Sequence, residues 1–334
     1  MAHFYFQKPL LRRGCQVDAH SDHLQLRYRD DEFELFPEEG HTVEQMQKML
    51  LQIDGTKTVE ELKADGFGYS ADEVMDMLTA LDESWLLEEG AQPVFTGKSG
   101  LQFITHLEDL YRDWEKEAGE TKLSQLVLDG NAPRHLMIGW TLEYYHITKR
   151  AHDCISPAIA KGHGEFRSML LDFFHEEYRH DKLLLKSLKS LGFEEHEITN
   201  SIPLPYTAAV SNLLAKWAHT DLLSYMASLF IFEGTAMEGN DYVQALDVYE
   251  MPREFSIHQA AHNNINTEGD HGNVSREFYA SIEYITAEDQ ARVIRNIRLL
   301  HEAQLRAHDT IFEYYLKPDV KMPRLLDNLL VSNA

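Results

Sequence analysis

Cysteine is nearly missing from this 334-residue chain: Cys15 and Cys154 are the only two, and they stand far apart. No disulfide framework and no cysteine-based zinc site can be built from them. Long apolar runs are also missing. The most apolar stretch, Leu222 to Phe232, is interrupted by Ser224 and Ser228. It falls short of the roughly 20 residues that span a bilayer and suits a buried helix better. At the N-terminus, Met1 to Leu11 interleaves aromatics with charges and offers no apolar core followed by a small-residue cleavage site. A cytoplasmic, reducing setting is expected. Positive charge is in the minority, with 31 Lys and Arg against 55 Asp and Glu and a net charge of −24. Such a surface repels nucleic acid and anionic membranes, so neither is expected as a partner. Gly97-Lys98-Ser99 lacks the upstream glycine of a phosphate loop, because Gln92 holds that position. No solenoid-type repeat and no low-complexity tract is present.

The first 90 residues differ in texture from the rest. Leu24 to Tyr28 and Phe33 to Phe36 alternate in polarity across the charged turn Arg29 to Glu32, the pattern of a hairpin. Three short helices follow, each opened by a capping box: Thr42 with Gln45, Thr58 with Glu61, and Ser70 with Glu73. Val43, Met46, Leu50 and Ile53 share one face of the first; Val74, Leu78, Leu81 and Trp85 line the third. A hairpin packed on three helices makes a small α+β, winged-helix-like domain over 1–92. Glu89 to Gly100, rich in glycine, reads as a linker. From 100 to 334 the pattern is helical, so the fold class is mainly α. Helices are predicted near 101–118, 133–160, 164–191, 206–217, 219–238, 253–280 and 287–316.

The acidic residues that fall on apolar helix faces carry the functional information. Glu177 has Leu170, Phe173, Phe174, Leu184 and Leu188 at helical spacing, and His180 shares that side. His175 and Glu176 share faces with charged and small polar residues and belong to the surface. Glu233 is surrounded at helical offsets by Met226, Leu229, Phe230, Ala236 and Met237, and Glu143 by Leu136, Gly139, Trp140 and Ile147. An ionised carboxylate in such a place must be protonated, paired or metal-bound. A fourth element, Asn264-x-x-x-Glu268-x-x-His271, puts three polar side chains on one face. His262 rotates to the far side of a regular helix and is left out unless the helix is broken there.

Two inward glutamates, Glu143 and Glu233, and two Glu-x-x-His pairs, Glu177/His180 and Glu268/His271, form the ligand set of carboxylate-bridged di-iron and di-manganese helical proteins. The intervals agree: 34 residues from Glu143 to Glu177 and 35 from Glu233 to Glu268, each one helix, a turn and the return. Carboxylates with a few imidazoles suit two iron ions, with manganese as the alternative. Two bridged Fe(II) ions can reduce O₂ by two electrons. Glu143-x-x-His146 is a third such pair, and His146 reads as a supporting or structural residue. His20, His23, His41, His135 and His308 read as surface or core-edge residues. Tyr144, Tyr145 and Tyr178 read as packing.

The stretches Glu177 to Leu184, Leu191-Gly192-Phe193, Pro203-Leu204-Pro205, Leu229 to Thr235 and Glu268-Gly269-Asp270-His271-Gly272 resemble the haem-oxygenase-like di-iron oxidase family. That family lies within the group that includes the pyrroloquinoline quinone synthase and thiaminase-like proteins. The likeness covers about residues 100 to 320. It implies a haem-oxygenase-like helical bundle with a labile di-iron centre, whose members oxidise amino acids, fatty acids or nitrogen-containing metabolites. Carried over, the family's ligands fall on Glu143, Glu177, His180, Glu233, Glu268 and His271. Many members have His where this chain has Asn264, and Asp where it has Glu268. That departure leaves one iron with a poorer ligand set, unless His262 substitutes through a distorted helix. Residues Phe33 to Leu35, Leu51 to Leu62 and Leu81 to Leu87 resemble the leader-peptide recognition element of ribosomal peptide maturation systems, the winged fold of the small pyrroloquinoline quinone peptide chaperone. This resemblance implies an extended peptide added to a strand edge.

The expected function is an O₂-activating di-iron oxidase or oxygenase of natural-product or peptide-derived metabolite biosynthesis. Its expected partners are a small-molecule or peptide substrate, a leader peptide at the N-terminal domain and a second copy in a homodimer. Two readings compete: a metal-free oxidase like pyrroloquinoline quinone synthase, and a non-catalytic peptide-binding scaffold with a degenerate site.

Overall fold

The computed structural model describes residues 4–29, 31–91, 97–233, 246, 249, 251–268 and 273–326, with the side chains of 233 and 263–268 outside the description. The strands are β1 Pro9–Leu11, β2 Gln16–Ala19, β3 Leu24–Tyr28, β4 Asp31–Leu35 and β5 Leu87–Glu89. The first helices are α1 Val43–Leu50, α2 Val59–Asp65, α3 Ala71–Glu83, α4 Gly100–Ala118 and α5 Lys122–Leu128. Then come α6 Arg134–Lys161, α7 Gly164–Glu177, α8 Asp181–Lys189, α9 Glu195–Thr199 and α10 Pro205–Thr220. The last are α11 Leu222–Glu233, α12 Arg253–Glu268, α13 Val274–Ala280 and α14 Ala287–Tyr315. Two compact units emerge: residues 1–109 with 276–290, and residues 110–275 with 291–334. Among the described residues, no helix is long and apolar enough to cross a membrane.

In the first unit the hairpin forms as the alternation requires. Leu24 lies opposite Leu35 and Tyr28 opposite Asp31, and Leu24, Leu26 and Tyr28 turn inward. Arg29, just past β3, takes the left-handed φ of 60° that a tight reversal needs. β2 adds a third antiparallel strand, in the order β2-β3-β4. Its Gln16-Val17-Asp18-Ala19 shows no clear apolar face, which is why the alternation pattern passes over it. All three capping boxes form: Thr42, Thr58 and Ser70 accept from the third backbone N–H of their helices, while Gln45, Glu61 and Glu73 reach back to the cap N–H. The two ends of the Glu89 to Gly100 segment are tied down. The Glu89 carboxylate accepts from the Gln7, Lys8 and Ala91 N–H groups, and the Gln102 side chain donates to the Glu89 and Ala91 carbonyls.

A buried charge cluster closes this unit. The Arg276 guanidinium, on α13, meets both Glu108 oxygens at 2.9 Å and Asp82 at 2.6 Å, and lies 5.8 Å from the Trp85 ring. Arg12 pairs with Asp109 beside it. Burial works against the Arg276 charge, but Glu108 and Asp82 outweigh it and hold its pKa above the ordinary value. These contacts fix α3, α4 and α13 to one another. Removing one partner of a buried pair leaves an uncompensated charge, so Arg276→Met should cost about 3–5 kcal/mol of stability. The double variant Arg276→Met/Glu108→Met should recover a good part of that. Urea midpoints of the two variants check both outcomes.

In the second unit α6 packs along α10 and α7, and α8 packs on α12. The core gathers Leu136, Leu142 and Tyr145 of α6 with Leu184 and Leu188 of α8, Phe255 of α12, and Ile311 and Tyr315 of α14. One predicted helix is split. The 164–191 helix breaks after Glu177, where Tyr178 turns extended (ψ 114°) and Arg179 takes φ 80°. Of the 253–280 helix, α12 and α13 are described, with residues 269–272 outside the described part. The 219–238 segment is described as helix to Glu233. Two short helices, α5 and α9, were not foreseen, because segments of 7 and 5 residues give too few turns for a periodicity to register.

Candidate metal centre

Glu143 sits mid-way along α6, 1% exposed. Its Oε1 accepts from the Tyr315 hydroxyl at 2.7 Å, and its Oε2 from the Leu204 backbone N–H at 2.8 Å. Leu204 is the N-cap residue of α10, before Pro205 at the first helical position, so the carboxylate lies at a helix N-terminus, where negative charge is favoured. Burial pushes the Glu143 carboxyl above its usual pKa, and these donors pull against it. One turn earlier on α6, a Cβ added at Gly139 would fall 2.2 Å from the Tyr315 ring. A glycine inside a helix is unfavourable by about 1 kcal/mol relative to alanine; here it lets the tyrosine lie flat enough on α6 to reach Glu143.

Glu177 is the last residue of α7 and His180 the N-cap residue of α8. Both are buried, and the His180 Nδ1 is 3.3 Å from the Glu177 Oε1. The pair meets across a break, through the left-handed Arg179, and not along a continuous helix. Left-handed φ at a residue with a Cβ costs about 1–2 kcal/mol, so this strain sits where the two side chains converge.

α12 turns Phe255, Gln259 and His262 inward at spacings of four and seven, all 5% exposed or less. The His262 ring stands edge-on to His180 at 5.8 Å and to Tyr144 at 5.5 Å. Its Nε2 is buried with no hydrogen-bond partner among the described residues. Burial, reinforced by the neighbouring His180, pushes its pKa down to about 4. The ring is therefore neutral, with a lone pair to give. His262, expected to turn away from Glu268 and His271, lies beside His180 and Tyr144. The rotation was measured against Glu268 and His271, whereas the position that matters is relative to Phe255 and Gln259, a stripe that the i, i+4, i+7 spacing would have shown.

Two cavities meet here. One of about 70 Å³ is lined by Glu177, Phe173, Tyr225 and Cys154 among others. The other, about 270 Å³, is lined by Glu143, Thr207, Gln259 and His308 among others. Tyr144 and His262 belong to both walls. Tyr144, read as packing, and His308, read as core edge, thus face the cavities. His175 and Glu176 are exposed, as expected. Of the six expected ligands, Glu143, Glu177 and His180 lie around this site. The backbones of Glu233 and Glu268 end α11 and α12, but their side chains, and His271 altogether, lie outside the described residues. Among the described residues no three His, Cys, Asp or Glu side chains gather closely enough to hold a metal alone. The donors present nevertheless fit the group: carboxylate oxygens and neutral imidazole nitrogen are the ligands iron and manganese take, and the partnerless His262 nitrogen is a buried donor atom that calls for an acceptor.

This arrangement belongs to a known architecture. The second unit has a haem-oxygenase-like fold. A domain of unknown function with that fold from Shewanella denitrificans superposes with a TM-score of 0.57 at 22% identity, over 66% of this chain and 97% of that one. A TenA homologue from Pseudomonas syringae does so with a TM-score of 0.54 at 11% identity, over 67% and 99%. At these identities the likeness establishes the fold. Residues 138–305, just over half of the chain, match the family described as iron-containing redox enzyme, and the chain belongs to that family. No curated protein matches it.

His146 points elsewhere. Its Nε2 is 2.9 Å from the Ser201 hydroxyl, which itself donates to the Ile198 carbonyl, so the ring tethers α6 to the end of α9. Burial lowers its pKa to about 4 from 6.5. Between those values the unfolded chain binds the extra proton, so this residue's stabilising contribution is present above pH 6.5 and lost as the pH falls toward 4. The amount is up to about 3 kcal/mol. His262 titrates in the same window, so His146→Gln should flatten, not abolish, the acid loss of stability. Urea unfolding across pH 4 to 6.5 measures the slope.

Proposed function

We propose that the chain is a non-haem di-iron oxidase or oxygenase that uses O₂ on a natural-product or peptide-derived substrate. The observation that carries the reading is the Glu177–His180 pair with the His262 ring 5.8 Å from His180, on a cavity wall that also includes Glu143, within an iron-containing redox family. Glu143, Glu177, His180 and His262 would hold iron together with Glu233, Glu268 and His271. Two Fe(II) ions bound there supply the electrons that reduce O₂. The protein's own part is preorganisation. Tyr315 and the Leu204 N–H fix the Glu143 carboxylate, desolvation keeps His262 neutral and ready to ligate, and Ile147, Phe173 and Phe232 line the cavities with apolar surface that limits water.

After anaerobic Fe(II) loading and desalting, the wild-type protein should retain about two Fe per chain. Glu177→Ala and His262→Ala should each lose at least one, and with it O₂ consumption. Wild-type protein that holds no iron, or variants that load and react normally, would contradict the assignment.

The N-terminal domain is proposed to bring in a peptide. In the described sheet β2 and β4 each pair on one side only, which leaves strand edges of the kind that accept an extended peptide. A library of extended synthetic peptides should contain members that slow amide exchange along β2 or β4. Binding without protection of either strand would refute edge addition.

A further inference from the structure

The larger cavity has an uneven chemistry. Its described wall presents the rings of Trp140, Tyr144 and Phe232 and the oxygen acceptors of Glu143, Gln259 and Gln304, and it includes no lysine or arginine. Arg324 acts on Glu143 from a distance, with one guanidinium nitrogen donating to the Ile202 and Pro203 carbonyls, and it is not on the described wall. Two imidazoles, His262 and His308, belong to the polar part of that wall. Gln259 uses its N–H on Thr141, which leaves its carbonyl oxygen to accept. Gln304 accepts from Tyr111 at 3.5 Å and keeps a second lone pair.

We propose that this cavity is a substrate chamber for the ammonium end of an amine with an apolar or aromatic body, and that it rejects carboxylates. The proposal rests on the reading of the second unit as a redox enzyme and names the substrate class of that site. An ammonium brings N–H donors to a wall furnished with oxygen acceptors, and its charge is attracted to the ring faces. A carboxylate would be buried with no lysine or arginine on the described wall to meet it. Tyr315, the Leu204 N–H and the Thr207 side chain act on the Glu143 carboxylate, which leaves part of its accepting capacity for a cation. The net charge of −24 favours the approach of cations in the same sense. A free amino acid would have to leave its carboxylate outside the chamber, whereas a simple amine or an amine on a peptide side chain would not.

The test uses the full-length, metal-free protein and three probes of one shape: benzylamine, benzyl alcohol and benzoate. Binding is followed by calorimetry and by tryptophan fluorescence. Benzylamine should bind about tenfold or more tighter than benzyl alcohol, with benzoate weakest. Ala307→Phe, which fills the chamber, should abolish the binding. Gln304→Leu, a milder change of similar volume, should reduce the preference for the amine if the larger variant does not fold. Benzoate binding as tightly as benzylamine overturns the proposal, and so does an amine preference that Gln304→Leu leaves intact. Fe(II) titration of the same preparation separates the two readings: an amine preference without iron binding removes the redox assignment alone, and iron binding without the preference removes the substrate class alone.

Discussion

Ionisable groups withdrawn from water are the constraint around which the second unit is organised. A buried carboxylate or imidazole is costly unless something meets it, and the details near Glu143 follow from that cost. Pro205 opens α10 so that the Leu204 N–H falls on one oxygen. α14 ends on Tyr315, whose hydroxyl falls on the other. Gly139 gives up helix propensity so that the tyrosine ring can lie against α6. Helices as long as α6 and α14 are rigid enough to keep such contacts in register over their length, and both are described without interruption.

The opposite wall is built from short pieces. α7 stops at Glu177, Arg179 takes a left-handed conformation, and α8 starts after His180. A straight helix would have given Glu177 and His180 the offset fixed by its pitch; the break sets their approach independently. The chain gives up about one hydrogen-bonded turn and accepts local strain there, which is where strain tends to be found when geometry at a site is demanding. The break lies within the residues that match the family.

Much of this was legible in the sequence, for reasons that can be named. Local hydrogen-bonding rules act within four residues, so the capping boxes at Thr42, Thr58 and Ser70 were readable and formed. Face assignments over a few turns were readable too, and Glu143, Glu177 and His180 are buried as their neighbours implied. Errors came where the helix itself changed. Periodicity cannot register a single left-handed residue such as Arg179, because the apolar spacing of Phe173, Leu184 and Leu188 survives the break closely enough to look continuous. The Phe255, Gln259 and His262 stripe on α12 is the spacing that turns His262 inward. Tyr315 carried no local mark of its role: its partner is 172 positions away, and only the unexplained Gly139 within α6 hinted that something must approach there. The hydrogen-bonded tether of His146 to Ser201 is equally nonlocal.

The two units treat buried carboxylates in different ways, and the difference bears on function. Where Glu108 and Asp82 are enclosed, the chain supplies Arg276, a permanent cation in bidentate contact that leaves those oxygens little capacity for chemistry. Around Glu143 the hydrogen bonds come from neutral donors, a backbone N–H and a phenol, and Glu177 meets an imidazole. Neutral donors orient a carboxylate without cancelling its charge. An arginine at either position would have been the simpler way to bury an acid for structure alone, and this chain has that solution at hand in its first unit. In the second, a backbone N–H and a phenol meet Glu143, an imidazole meets Glu177, and the His262 nitrogen has no hydrogen-bond partner among the described residues, a combination that makes sense if the balancing charge is exchangeable: a metal ion, a cationic substrate, or each at its own side of His262.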